Sequence, residues 1–231
     1  MTPGAGASSP RKVITETTRL VSVPYVPEIR LQQAEDPFTV WEQMESAVAG
    51  TGTGTELPPP FWAFAWAGGQ ALARYLLDHP ELVAGQRVLD MASGSGLVAI
   101  AAARCGAQPV LAVDVDELAV RAISVNAAAN GVRVQPVQAD LLDGDADGAA
   151  VVLCADAFYE EDLAARMLPF LHRARAGGAR VFVGDPGRAF LRTAGFEPLA
   201  TYEIPVTIAL EGMTSKRATV YEVTDGARGG S

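Results

Sequence analysis

VLDMASGSGLVAI (residues 88–100) runs from an apolar stretch through an aspartate into two glycines one residue apart, then out into a second apolar stretch. The first half predicts a buried strand over 87–92 and the second a helix over 95–105, joined by a tight glycine turn. Residues 94–99, GSGLVA, satisfy the G-x-G-x-x-G/A spacing that lets a backbone approach a ligand closely at the end of a parallel strand.

Outward from this turn the chain alternates between helical and strand-like patterns. A helix over 67–79 precedes it. Strand 110–115, helix 116–129 closed by Asn130-Gly131, strand 132–139, strand 151–155, helix 160–173, strand 180–184 and a short helix at 187–194 follow. Two late runs, FEPLATYEIP (196–205) and KRATVYEV (216–223), can pair antiparallel. The architecture predicted is α/β: a seven-stranded Rossmann-like sheet, mostly parallel with the last strand antiparallel, and helices on both faces. Before it lies an N-terminal arm. Its run TRLVSVPYV is β-like, and in EDPFTVWEQMESA (35–47) Asp36 caps a helix that has Pro37 at its first position. GTGTGTELPPP (50–60) reads as a linker that enters FWAFAW in an extended form, so that Phe61, Trp62, Phe64 and Trp66 alternate in facing, two of them as core. The division expected is arm and linker 1–58, main domain 59–224 and a disordered tail 225–231.

The 231 residues are 49% hydrophobic and carry a net charge of -9, enough for one sizeable core. The acidic balance argues against a nucleic-acid partner, which needs a basic face. No apolar run is long enough for a membrane span and no leader pattern is present, so a cytoplasmic monomer is expected. Cys105 and Cys154, with only His79 and His172 beside them in composition, lack metal-ligand spacing and read as buried thiols.

What the glycine turn binds depends on the acids around it. Asp114, at the end of the next strand, stands where a ribose-binding acid belongs, so a dinucleotide is one reading. Asp90 opposes it, because a carboxylate facing a pyrophosphate is repulsive in a partly desolvated site. A ligand carrying an ammonium and a sulfonium, S-adenosylmethionine, removes that conflict. On this reading Asp114 accepts from the ribose hydroxyls, Gly94 and Gly96 admit the methionine portion, and Asp140 reaches the adenine amino group. Asp90, Ser93, Val115 and Leu141 complete the expected cofactor contacts.

The fourth strand, VVLCAD, ends in Asp156 followed at once by Ala157-Phe158-Tyr159. Here the sequence resembles seven-β-strand protein-lysine methyltransferases. The likeness is closer to those acting on the electron-transfer flavoprotein beta subunit and more distant to those of ribosomal protein L11. DPFTVWE, PPPFWAFAWAGGQALARYLLDHP, VLDMASGSGLVAIAA, LAVDVDELAVRAISVNAAAN, DAFYEEDLA and VGDPGR carry it, over most of residues 36–188. Ala149-Ala150 stand where that group often has Trp-Asp. The resemblance implies a protein substrate with a lysine acceptor, Asp156 binding and aiming the incoming ammonium, Phe158 and Tyr159 walling its channel, and Trp66 or Trp62 closing the cofactor side by cation–π contact. Asp185-Pro186-Gly187-Arg188 is either an Asp-capped helix start or a substrate-entrance loop with Arg188 facing an acidic protein surface. The rivals are a methyltransferase of ribosomal protein L11 or of a small molecule, an NAD-dependent oxidoreductase, and a catalytically silent cofactor-binding module.

Overall fold

Strands buried on both faces belong inside a covered sheet, and VLDM, buried at every position, and VVLCA, buried at all but its last, are such strands. The computed structural model describes residues 10–36, 40 and 59–224. Their order is α1 (Pro10–Thr17), β1 (Arg19–Val23), β2 (Val26–Gln33), a 3-10 turn (Phe61–Ala63), α2 (Ala67–Asp78), a second 3-10 turn (Pro80–Leu82), β3 (Val88–Met91) and α3 (Leu97–Arg104). Then come β4 (Val110–Asp114), α4 (Glu117–Ala129), β5 (Gln135–Gln138), β6 (Val151–Ala155), α5 (Glu161–Ala176), β7 (Arg180–Asp185), β8 (Phe196–Pro205), the short α6 (Ile208–Glu211) and β9 (Ser215–Val223).

One sheet has the order β5-β4-β3-β6-β7-β9-β8. β3 to β7 are parallel to their neighbours, and β9 runs antiparallel to both β7 and β8, as the late hairpin runs predict. Period-two alternation sorts the core into two layers. Val88, Val151, Leu153 and Phe182 face α2 and α3. Leu89, Met91, Val152, Cys154 and Val183 face α5, through Met167, Phe170 and Leu171. The chain leaves β3 toward β4 on one side, and only later returns to lay β6 on the other. The carboxyl ends of β3 and β6 therefore stand side by side at the switch point of the sheet, where such folds open a ligand crevice.

Helix α2 approaches the sheet closely. A Cβ at Gly68 would lie 2.3 Å from the Gly184 carbonyl oxygen, so the pairing of these two glycines sets how near the helix sits to β7.

The structure differs from the sequence reading in three places. The arm contains a hairpin, β1 with β2, not a single β-like run, and its Val23, Val26, Ile29 and Leu31 share a core with Leu97, Ile100 and Ala101. FWAFAW does not alternate throughout: Pro60 leads into the 3-10 turn at Phe61–Ala63, and Trp62 and Phe64 are buried while Phe61 is 39% exposed. No helix forms at 187–194. The Asp185 carboxylate takes the N–H groups of Gly187 and Arg188 as a helix cap would, but Gly187 turns to a φ of 82°, outside the helical region, and the N–H of Phe190 goes to the Phe158 carbonyl. The helix expected within 35–47 and most of the linker lie outside the described residues. Among the described residues no helix is long and apolar enough to cross a membrane.

Candidate active site

The glycine turn leaves β3 through Ala92, whose φ of 51° is unusual for a residue with a side chain. Gly94 and Gly96 follow at φ 54° and 81°. They do different work. A Cβ at Gly96 would press on Ile123 at 3.3 Å, so this glycine seats α3 against α4, whereas a Cβ at Gly94 would meet nothing nearer than Trp62 Cα at 4.0 Å. Gly94 thus leaves room at the surface of the crevice, and Gly96 packs.

Asp90 does not face that crevice, contrary to the sequence reading. It is 1% exposed, and its Oδ2 accepts from the Ser93 hydroxyl and, at 3.1 Å, from the Ala99 N–H. Asp90 and Ser93 therefore tie the turn to the first turn of α3. The even positions of β3 point toward α2 and α3, and Asp90 shares that face with Val88. Burial pushes its carboxyl up to about 7, against the opposing pull of the Ser93 and Ala99 hydrogen bonds. The folded state thus holds this proton more tightly than the unfolded chain, and the Asp90 contribution to stability falls as pH rises from about 4 to about 7. Asp90→Asn removes that titration. Relative to this variant, wild-type stability is expected to fall by up to about 1.4 kcal/mol per pH unit across that window. Urea unfolding at pH 5 and pH 8 measures it, and parallel pH profiles for the two proteins would refute the assignment.

Asp114 ends β4. Its Oδ2 accepts from the Gly94 N–H at 2.9 Å and its Oδ1 from the Asp116 N–H at 3.0 Å, so the carboxylate is aimed at the mouth of the turn. Burial raises its pKa, against those backbone hydrogen bonds. Val115, beside it, is 65% exposed, an apolar face at the crevice rim. Asp140 lies apart from this arrangement: Arg166 holds both of its oxygens, at 2.8 and 3.1 Å, and lowers its pKa, and the Leu142 N–H also donates to it. Arg166 on α5 thus shares the carboxylate, and an adenine contact by Asp140 would use the lone pairs that Arg166 and Leu142 leave. Leu141 is half-buried against the α5 side of the core.

The carboxyl end of β6 brings the second group of residues together. Asp156 has a φ of 56° and is 8% exposed. Its Oδ2 accepts from the Gly69 N–H of α2 at 2.7 Å, and its Oδ1 accepts from Arg188 Nη2 at 2.7 Å and Nε at 3.1 Å. Burial pushes its pKa up to about 6, with Arg188 pulling the other way. Arg188 does not face outward, as the substrate-entrance alternative had it. Its side chain is 15% exposed, and its guanidinium lies 5.5 Å from the Trp66 ring, so that ring carries Arg188 on its face. The Trp66 indole N–H goes to the Phe61 carbonyl. Trp62 is 1% exposed and packs with Ile14, Ala119 and Ala122, away from any ligand face.

Phe158 is fully buried in the α5 layer and walls no channel. Its neighbour Tyr159 is 42% exposed and packs on Phe61, ring centroids 5.1 Å apart. Successive residues leaving a strand point to opposite sides, and only the fold decides which one meets solvent. Phe61, Tyr159 and Trp66 form an aromatic lip around the Asp156–Arg188 pair. Sequence reasoning missed Gly69 and the inward turn of Arg188; an arginine two residues after an Asp-Pro turn carries no signal of inward facing.

Among the described residues no lysine or arginine pairs with Asp90, Asp114 or Asp116. A crevice with room at Gly94, an aimed carboxylate at Asp114 and an apolar rim at Val115 fits a cationic nucleoside and would repel a pyrophosphate. The family model of ribosomal protein L11 methyltransferases (PrmA) matches residues 71–157, from α2 to the residue after Asp156. A solved structure of a candidate RNA methyltransferase from Pyrococcus horikoshii superposes with a TM-score of 0.54 at 16% identity, over 81% of this chain and 98% of that one, a likeness of fold. Fold and site together define a seven-β-strand, S-adenosylmethionine-dependent methyltransferase. The electron transfer flavoprotein beta subunit lysine methyltransferase of Xenopus laevis is 37% identical over 224 residues, 93% of this chain and 87% of that protein. Its counterpart in Homo sapiens is 44% identical over 131 residues, covering 56% of this chain and 50% of that protein. The chain belongs to the family of electron transfer flavoprotein beta subunit lysine methyltransferases.

Proposed function

We propose that the protein transfers methyl groups from S-adenosylmethionine to lysine side chains of a protein, the electron transfer flavoprotein beta subunit. The observation that carries this reading is Asp156, a buried carboxylate beside the glycine turn and under an aromatic lip, in a chain 37% identical to a lysine methyltransferase over most of its length.

The bound methyl donor supplies a methyl group on a sulfonium, displaced in line by the acceptor. The acceptor amine must arrive neutral. A lysine in water has a pKa of about 10.4, so roughly one amine in 10³ is neutral near pH 7.5, a deficit of about 4 kcal/mol. A lone Asp156 would deepen it by holding the ammonium charged. Arg188 offsets that charge, so the pair can orient an amine through its remaining lone pairs without strongly stabilising the cation. On this reading Phe61 and Tyr159, packed on each other, strip water from the approach, which lowers the amine pKa further, and the Tyr159 hydroxyl hydrogen-bonds the amine. Asp156 on this reading binds and aims; it is not a strong base.

Asp114 is assigned to the ribose hydroxyls. Asp114→Ala removes two charge-assisted hydrogen bonds to the cofactor, and calorimetry is expected to show S-adenosylmethionine binding weakened roughly 100-fold. An unchanged affinity would remove Asp114 from the cofactor site.

The experiment for the function is incubation of the enzyme and methyl donor with purified electron transfer flavoprotein beta subunit, read as mass increments of one methyl group on lysine peptides. No increment would sink the substrate assignment. The PrmA match over 71–157 favours ribosomal protein L11 as the second substrate to place in the same assay.

A further inference from the structure

A cleft of about 150 Å³ opens beside Trp66. Pro24 and Gln33 of the hairpin, Trp66 and Gln70 at the start of α2, and Val206 and Glu211 of the β8–β9 connection line it. It is smaller than the roughly 300–1,000 Å³ of cofactor-sized sites, so it takes one chemical group and not a whole nucleoside.

Two polar atoms in its wall have no hydrogen-bond partner. The Glu211 side chain is only 7% exposed; Lys216 pairs with Oε2, and Oε1 has no hydrogen bond, with Arg188 Nη2 at 3.7 Å. Gln33 Nε2 is likewise buried and unpartnered. The remaining amide in the wall is engaged: Gln70 donates to the Ala65 carbonyl and accepts from the Tyr25 N–H. The residues of the wall thus hold one acceptor and one donor without a hydrogen bond, among proline, valine and indole groups. Buried groups of this kind are nearly always partnered.

The chemistry of the occupant follows. A cation would satisfy Glu211 alone, whose charge Lys216 and Arg188 already balance. An anion would satisfy Gln33 alone and meet repulsion from Glu211. A neutral planar group with a carbonyl and an N–H satisfies both, and a peptide group is such a unit. The cleft wall is joined to the Asp156 site by one guanidinium: Arg188 Nη2 lies 2.7 Å from Asp156 Oδ1 and 3.7 Å from Glu211 Oε1, so the two carboxylates stand close together.

We propose that this cleft binds a main-chain peptide group of the substrate polypeptide next to its acceptor lysine, which makes the enzyme select peptide-linked over free lysine. The inference rests on the protein-lysine reading above and deepens it.

The probe is the capped tripeptide acetyl-Gly-Lys-Gly-amide, titrated into the full chain carrying ¹⁵N-labelled tryptophan, with free lysine as the comparison. The capped peptide is expected to shift the Trp66 indole resonance and free lysine to leave it in place. Gln33→Leu, which keeps the shape and deletes the donor, should weaken the peptide roughly tenfold. Glu211→Gln should weaken it less, because an amide oxygen can still accept. A Trp66 resonance unmoved by millimolar peptide, equal shifts by peptide and free lysine, or wild-type affinity in Gln33→Leu would each overturn the proposal. The shift is read without turnover, so failure of the flavoprotein subunit to become methylated would count against the substrate reading alone. With that protein as substrate, Gln33→Leu is expected to raise KM more than it lowers kcat, and the reverse pattern would also contradict a binding role for the cleft.

Discussion

Asp156→Ala is expected to abolish methyl transfer and, at the same time, to cost about 3–5 kcal/mol of stability. Both effects come from one carboxylate. Removing it leaves the Arg188 guanidinium, at 15% side-chain exposure, only the Glu211 carboxylate at 3.7 Å, and frees the Gly69 N–H at the start of α2. A buried charge without its partner is among the costliest single defects a fold can carry, whereas replacing both partners by apolar groups is often neutral. The double variant Asp156→Leu with Arg188→Met should therefore recover most of the lost stability in urea unfolding while staying inactive. Recovery of activity along with stability would show that Asp156 serves the fold alone. Cofactor binding by the folded double variant should persist, because Asp114 and Gly94 belong to the neighbouring strand ends.

Gly68→Ala is expected to lower stability by about 3 kcal/mol or more, a large effect for a single methyl group in a helix. The added carbon would sit 2.3 Å from the Gly184 carbonyl oxygen and 2.7 Å from Asp156 Oδ2, and a backbone carbonyl cannot swing away as a long side chain could. Helix α2 must lift from β7, which also lengthens the Gly69 hydrogen bond to Asp156, so activity should fall with stability. Gly85→Ala is the control. Its φ of 71° costs only the left-handed backbone penalty of about 1–2 kcal/mol, since nothing lies within 4 Å of the new carbon. Equal melting temperatures for Gly68→Ala and wild type would show that the helix is free to move.

The fold was largely legible because its signals are local. Each strand is a short apolar run between turn residues, and each helix between strands carries its own period, so seven strands and their directions follow from pattern and handedness. The sheet edge holding the site was legible for the same reason, since Asp90, Asp114 and Asp156 all stand within a residue of a strand's carboxyl end. Their partners were not legible. Asp156 meets Gly69 and Arg188 across 87 and 32 residues, and Asp140 meets Arg166 across 26.

The sequence by itself determined the order of elements, the glycine turn and the set of acids at the strand ends, because these depend on residues within one or two turns of each other. Tertiary structure alone decided which of those acids face the crevice. Asp90 turned inward because β3 alternates, and Asp140 was captured by α5. Arg188 folded back onto Asp156 because the chain turns at Gly187, with a φ of 82°, and does not continue as a helix. In VLDMASGSGLVAI the two glycines look equivalent, yet only Gly94 borders the crevice, while Gly96 is spent on α4, an element that the stretch itself does not contain.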